Sequence, residues 1–454
     1  MYSINEEKLN DRIGFIQQSM PIELSGKISS MAGLTLEVKA FFPPIGAVCE
    51  IKTMMGRLIL AQVIGFKEGV SILMPMEDSV GIACGDTVRC VDITDTVPIG
   101  THLLGRVING KGEPIDGKGP LLCATRRNTE ATKLAALDRP RIDTAIGTGV
   151  RAIDALLTIG KGQRMGIFSG PGVGKSTLLG TIAKHTSADV SVISLIGERG
   201  REVKEFIEKD LGPEGLARSV VIVSTSDETA PMRIKATFVA SSIAEHFRDQ
   251  GKDVVLLMDS ITRFAMAQRQ IGLALGEPPA TKGYPPSVFS LLPHIVERCG
   301  KNVHGSITGF FTVLIEGDDL AEPISDTMRG LLDGHIALSR PLANRGHYPA
   351  IDVSESISRV MSDIVDETHR QYAVDVKKLL SIYADIEDLV NIGAYSAGTN
   401  IEYDLSVKSH ELISEFLQQG IDEGFKYEAS ILQLYQLTQL IKDMVAEISK
   451  GTPN

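Results

Sequence analysis

Nine consecutive residues, Ser169-Gly170-Pro171-Gly172-Val173-Gly174-Lys175-Ser176-Thr177, set glycines, a lysine and hydroxyls at the spacing of a phosphate-binding loop. Such glycines let main-chain N–H groups turn inward around β- and γ-phosphates, and a helix N-terminus behind them adds partial positive charge. Lys175 would bring a point charge to the same phosphates, and the Ser176 hydroxyl would ligate Mg²⁺. The full pattern opens on glycine, and Ser169 stands there instead. An ordinary glycine-rich turn is the competing reading. Against it stand the Lys175-Ser176 pair, the apolar Met165, Ile167 and Phe168 ahead, and the helix-like run Thr177 to Ala183 behind. Together these make a strand–loop–helix that handles nucleotide.

Two further groups have the chemistry such a loop requires. Val254 to Met258 reads as a buried strand ending on Asp259, 84 residues after Lys175. There a carboxylate would face the Mg²⁺ shell at the carboxyl end of a sheet. Leu195-Ile196-Gly197-Glu198-Arg199-Gly200-Arg201-Glu202 places charges directly after another buried strand. A carboxylate there can polarise an attacking water beside a charge-balancing guanidinium, but a solvated helix start fits the same letters. On spacing alone the two readings stand level. Farther on, Gly346 to Val360 holds Tyr348 and Arg359; by residue type the tyrosine reads as core and the arginine as a surface ion pair.

Three textures must carry these groups. Residues 21–95 hold short β-type segments at 26–28, 34–38, 48–51, 58–64, 70–74 and 87–91, punctuated by Gly and Pro, as in a small antiparallel barrel. A Gly-rich connector occupies 96–144. From 145 to 370 apolar runs alternate with helical stretches, the mark of a parallel α/β sheet covered on both faces. Within it, residues 276–286 are too proline-rich for any regular element. Residues 371–454 read as helical, with Leu412, Ile413, Phe416 and Leu417, then Ile431, Leu434, Leu437 and Ile441, at helical spacing. The fold class is therefore multi-domain α/β, a β-barrel followed by a nucleotide-binding core and a helical domain. Before the barrel, within residues 1–20, Leu9, Ile13, Ile16 and Met20 make an amphipathic helix that either packs on its own protein or docks a partner.

Composition narrows the classes. A net charge of −11 argues against a broad nucleic-acid footprint. Five scattered cysteines without C-x-x-C spacing read as free thiols, and nucleotide-bound Mg²⁺ is the one metal expected. No apolar run approaches the ~20 residues of a membrane span, and the N-terminus lacks signal-peptide order. A cytosolic location is expected.

The motifs as a set resemble the hexameric ATPase family that contains the rotary ATP synthase head subunits and the type III secretion ATPases. The matching residues are Gly170 to Ser176, Gly197 to Glu202, Pro349-Ala350-Ile351-Asp352 with Ser356-Ile357-Ser358, and Thr148 to Asp154. Met266-Ala267-Gln268-Arg269, Gly276 to Phe289 and Glu316-Gly317-Asp318-Asp319 resemble the flagellar protein-export branch. The resemblance implies a RecA-like core hydrolysing MgATP, with Gly170, Pro171, Gly172, Val173, Gly174, Lys175, Ser176 and Thr177 around the phosphates. It implies Glu198 as catalytic carboxylate, Arg199 as a γ-phosphate contact, Arg263 as a nearby arginine, Tyr348 stacked on adenine, and Ser176 and Asp259 at the Mg²⁺. Arg359 would be an arginine finger acting in trans, so one chain carrying both Glu198 and Arg359 implies a homohexameric ring. Implied partners are a stalk protein in the pore, a cytosolic regulator or stator on the N-terminal helix, the export-gate membrane protein at the inner membrane, and cargo with chaperones, but no nucleic acid. The rivals are a virulence injectisome ATPase, a ring-shaped RNA translocase and a non-catalytic nucleotide binder.

Overall fold

The computed structural model describes residues 24–93, 95–123, 125–130, 137, 139–315, 322–398 and 400–451. The amphipathic stripe within residues 1–20 and the segment Glu316 to Asp319 lie outside them.

Six strands close the N-terminal barrel: β1 (Ser25–Ala32), β2 (Thr35–Lys39), β3 (Val48–Lys52), β4 (Leu58–Lys67), β5 (Val70–Pro75) and β6 (Thr87–Asp92), in the order β1-β2-β5-β4-β3-β6. Alternation decides which side chains point inward. In β4, Ile59, Ala61 and Val63 are buried while their neighbours are not, and they join Ile28, Leu36, Val38 and Ile51 in the barrel core.

The central sheet is built from β7 (Arg106–Asn109), β8 (Arg164–Ser169), β9 (Val190–Glu198), β10 (Ser219–Thr225), β11 (Asp253–Asp259), β12 (Ser306–Leu314), β13 (Gly334–Leu338) and β14 (Ile351–Ser358). Their order is β14-β13-β8-β12-β11-β9-β10-β7, with a short strand at Gly300–Lys301 hung on β12. All run parallel from β13 to β7, and only β14 and the short strand run antiparallel. Every residue of β9 is buried, as a strand covered on both faces must be. The edge strand β7 comes from the stretch that reads as connector, and its Val107 and Ile108 give it a strand's burial pattern.

Helices cover the sheet and hold the site: α1 (Arg151–Leu156), α2 (Lys175–His185), α3 (Gly200–Glu205), α4 (Ala230–Asp249), α5 (Ile261–Ala274) and α6 (Pro323–Leu331). The proline-rich segment is irregular apart from one turn at Thr281–Gly283, and its last residue, Pro286, opens the helix Pro286–Val296. Proline suits that first helical position, because its missing N–H would be unpaired there anyway. The C-terminal region is α7 (Glu367–Asn391), α8 (Ile401–Leu417) and α9 (Tyr427–Gly451). Ile413, Phe416, Leu417, Leu434, Leu437 and Ile441 pack into the same apolar cluster as Leu178 and Ile182 of α2. The helical region is thus continuous with the core beneath the phosphate loop. No helix among the described residues is long and apolar enough to cross a membrane.

Candidate active site

The loop begins where β8 stops, at buried Ser169, and ends at Gly174, which caps α2 in the left-handed region at φ +89°. A β-carbon on Gly174 would also sit 3.4 Å from the Tyr348 ring. Glycine therefore serves both the turn and the close approach of an aromatic. Thr177, in the first turn of α2, gives its hydroxyl to Asp210 and so is partly engaged already.

β11 and β9 are hydrogen-bonded neighbours with Leu195 opposite Asp259, so both strands end at the same edge of the sheet. Their terminal carboxylates converge on the lysine. Lys175 Nζ lies 2.5 Å from Asp259 Oδ1 and 3.5 Å from Glu198 Oε1. Gly197, at φ +70°, breaks the register beside β10 just before Glu198, and a β-carbon there would come 2.7 Å from Arg263 Cδ. That absence lets the Arg263 side chain lie against the backbone, with Nε 3.5 Å from Glu198 Oε1 in an ion pair that is not an aligned hydrogen bond. Ser260 caps α5 by accepting from the Arg263 N–H at 3.3 Å.

Burial pushes the Glu198 carboxyl up to about 7. The Lys175 charge opposes the shift, and Asp259 and a hydrogen bond to Glu202 assist it. Glu202 goes the other way, held down by accepting that bond. Burial alone would lower the Lys175 ammonium, but the carboxylates of Asp259 and Glu198 outweigh it and hold Lys175 above its ordinary value. The result is a cation flanked by two acids, one of which can give up or retain a proton near neutrality. Within the Gly197 to Glu202 motif, spacing gives Glu202 no role of its own. Its signal is the separation of four from Glu198 across the start of a helix.

Beside the loop opens a cleft of about 360 Å³, walled by Val150, Thr181, Tyr348, Pro349, Gly420 and Ile421. Tyr348 is 43% exposed here, so the reading of it as core from residue type is wrong. The far wall comes from the turn after α8, which local pattern did not single out. Gln419 fixes that turn: its N–H donates to the Tyr348 carbonyl at 2.8 Å, its Oε1 accepts from Arg151 N–H at 2.9 Å, and its Nε2 donates to Gly149 O at 2.8 Å. Arg151 ties three pieces together, Phe416 O at the end of α8 (2.6 Å), Gln418 O in the turn (2.5 Å) and Gln433 Oε1 on α9 (2.8 Å), with its guanidinium over the Phe416 and Phe425 rings.

Two expected residues stand apart from this group. Arg199 is largely solvent-exposed and lies 3.5 Å from Glu202. Arg359 follows β14, whose end at Ser358 pairs with Gly334 at the start of β13, the edge of the sheet opposite the loop. Its guanidinium donates to the carbonyls of Leu332 and Arg329 at 3.3 Å each, and no ion pair holds it among the described residues. A larger cleft of about 550 Å³ between barrel and core is lined by Glu77, Asp78, Asp227 and Glu228 against Lys111 and Arg233, a negative balance that suits a polyphosphate poorly.

Among the described residues no set of three His, Cys, Asp or Glu side chains forms a metal cage. Ser176 and Asp259 offer hard oxygen donors in small number, which fits Mg²⁺, an ion that keeps waters and takes substrate phosphates as ligands.

Comparison with known proteins places these features in context. Residues 149–358 match the nucleotide-binding domain model of the ATP synthase alpha/beta family, and residues 365–436 match that of the T3SS EscN ATPase C-terminal domain. The chain is 51% identical over 433 residues to the flagellum-specific ATP synthase of Bacillus subtilis, covering 95% of this chain and 99% of that protein. It is 47% identical to the type 3 secretion system ATPase of Xanthomonas euvesicatoria, over 91% of this chain and 94% of that one. The solved structure of the assembled ATPase EscN from the enteropathogenic E. coli type III secretion system is similar at TM-score 0.85 and 44% identity, covering 91% of this chain and 99% of EscN. EscN in complex with its central stalk EscO gives 0.84 at 44% identity, with the same coverage.

Proposed function

The chain belongs to the ATP synthase alpha/beta family, in the branch of flagellum-specific and type III secretion ATPases, and from that premise we propose how its site hydrolyses ATP and what the hydrolysis serves. The observation that carries the site is the convergence of Lys175, Asp259 and Glu198 at the mouth of a glycine loop beside an aromatic-walled cleft.

Residues 170–177 cradle the phosphates, and Tyr348 lies against the base. Lys175 turns from Asp259 to the β- and γ-phosphates. Ser176 and, through water, Asp259 would hold the Mg²⁺, which would supply positive charge to neutralise the phosphates. Glu198, with its carboxyl poised near neutrality, orients and deprotonates the attacking water, and Arg263 supports it. Arg199, mobile in reach from its exposed position, contacts the γ-phosphate once nucleotide is present. Arg359 faces the opposite edge and serves the site of the next subunit, which makes the working unit a homohexameric ring. MgATP hydrolysis in that ring releases and unfolds cargo for flagellar type III export. A stalk protein stands in the pore, a regulator or stator binds residues 1–20, and the ring docks from the cytoplasm on the export gate at the inner membrane.

The test is genetic and biochemical together. In a strain lacking this gene, the wild-type chain restores secretion of hook and filament proteins, whereas Lys175→Ala restores neither secretion nor ATPase. Near-normal turnover in Lys175→Ala would defeat the site assignment. Normal flagellar secretion in the deletion strain, with loss of secretion from a needle apparatus, would move the chain to the injectisome branch.

A further inference from the structure

We infer that Thr312 is a positioning residue for Asp259. This rests on the reading of Asp259 as the carboxylate of the Mg²⁺ shell. Thr312 lies on β12, which pairs with β11 so that Met258 stands opposite Phe311 and Asp259 beside Thr312. It is fully buried, in a strand whose Ile307, Phe310, Phe311 and Val313 are apolar core. A valine has the same shape, and a hydroxyl left without a partner there would cost about 1–3 kcal/mol. The hydroxyl has partners: it donates to Asp259 Oδ1 at 2.7 Å, with the Met258 carbonyl 3.3 Å away.

The oxygen it chooses is the informative part. Oδ1 is also the atom Lys175 Nζ touches, at 2.5 Å, and neither contact uses Oδ2. When Lys175 moves to the phosphates, Asp259 loses that donor. Thr312, fixed in the sheet, keeps Oδ1 engaged, so the carboxylate holds one orientation and presents Oδ2 to the water shell of the ion. Thr312 itself touches neither nucleotide nor metal. The other buried threonine of the strand, Thr308, accepts from the Gly162 N–H at 2.9 Å and is occupied elsewhere.

The experiment compares wild type, Thr312→Val, Thr312→Ser and Asp259→Asn. Each full-length protein is titrated with fluorescent ADP in EDTA, then with Mg²⁺ at fixed nucleotide; turnover and Tm are measured alongside. Thr312→Val keeps the shape and should retain Tm and metal-free nucleotide affinity. It should raise the Mg²⁺ midpoint and lower turnover by about tenfold, the usual cost of losing a group that orients a metal ligand. Thr312→Ser, which keeps the hydroxyl, should restore both. An unchanged Mg²⁺ midpoint in Thr312→Val, where Asp259→Asn shifts it, would overturn the inference while leaving Asp259 in place. Impairment in Thr312→Ser with none in Thr312→Val, which keeps the methyl, would overturn it in favour of packing by that methyl group. An unshifted midpoint in Asp259→Asn would overturn the underlying reading and this one with it.

Discussion

Tyr348 and Arg359 bracket a single antiparallel strand and therefore sit at opposite edges of the sheet. Ile351 pairs with Leu338 at the loop end, and Ser358 pairs with Gly334 at the other. Eight residues of strand separate the edges by about 25 Å. A guanidinium at the far edge cannot reach its own phosphates, so it serves a neighbour or nothing.

Mixing separates those outcomes. Arg359→Ala and Glu198→Gln should each be nearly inactive as pure rings, since a finger is worth about 10³–10⁵ in rate. Mixed rings contain interfaces with Glu198 intact on one side and Arg359 intact on the other, so activity should return in part. Specific activity of the wild type should also rise with protein concentration. Mixed rings, verified by mass, that hydrolyse nothing would reduce Arg359 to a clamp on the carbonyls of Arg329 and Leu332.

The pH profile follows from Glu198. Its carboxyl is raised to about 7 by burial, so the protonated form accumulates below that pH and the base is lost there. In the free enzyme kcat/KM should climb between about pH 6 and 8 and then level off. Glu198→Gln should remain flat and very low while still binding nucleotide. A wild-type profile with its midpoint near 4.5 would show that the site holds Glu198 ionised throughout.

Arg151 and Gln419 should govern affinity more than chemistry. Arg151→Ala removes charge-assisted bonds to Phe416 O at the end of α8 and to Gln418 O in the turn that forms the wall opposite Tyr348, while the main-chain N–H bond to Gln419 remains. At about 1.5–3 kcal/mol for a bond to a charged group, KM for ATP should rise by about tenfold or more. The kcat should change much less, because the polar partners of Lys175 are Asp259 and Glu198 and neither is in the turn. A fall confined to kcat would contradict this assignment.

Gly197→Ala should impair catalysis with the fold retained. The residue lies at φ +70°, where an L side chain costs roughly 1–2 kcal/mol, and the new methyl would meet Arg263. Arg263 and Glu198 must then move apart, and turnover should drop by about tenfold or more. Wild-type turnover would mean that their present separation is not needed.

Local pattern was sufficient wherever a function is carried by adjacent residues. The phosphate loop, Asp259 at a strand end and the six barrel strands all lie where the sequence puts them, because periodicity and glycine placement are local signals. By spacing alone Glu198 fits a helix start equally well; the contacts that favour a catalytic carboxylate come from Lys175 and Arg263, 23 and 65 residues away in the chain. Tyr348 misleads by residue type: a tyrosine that lines a cleft is half-buried for the same apolar reason as one in a core. Thr312 and Gln419 act through register and tertiary contact, which no spacing along the chain encodes.

The edge strand β7 has a consequence for how this chain tolerates cutting. Val220, Val221, Ile222 and Val223 of β10 are covered along one side only by residues 106–109, which lie on the barrel side of residue 145. A protease that trims the chain back to the nucleotide-binding core would strip that cover and bare a row of main-chain donors and acceptors on a β-branched strand. Such an edge pairs readily with another copy of itself. A fragment that begins after residue 145 should therefore self-associate, because residues 106–109, though they precede the core in sequence, complete its sheet.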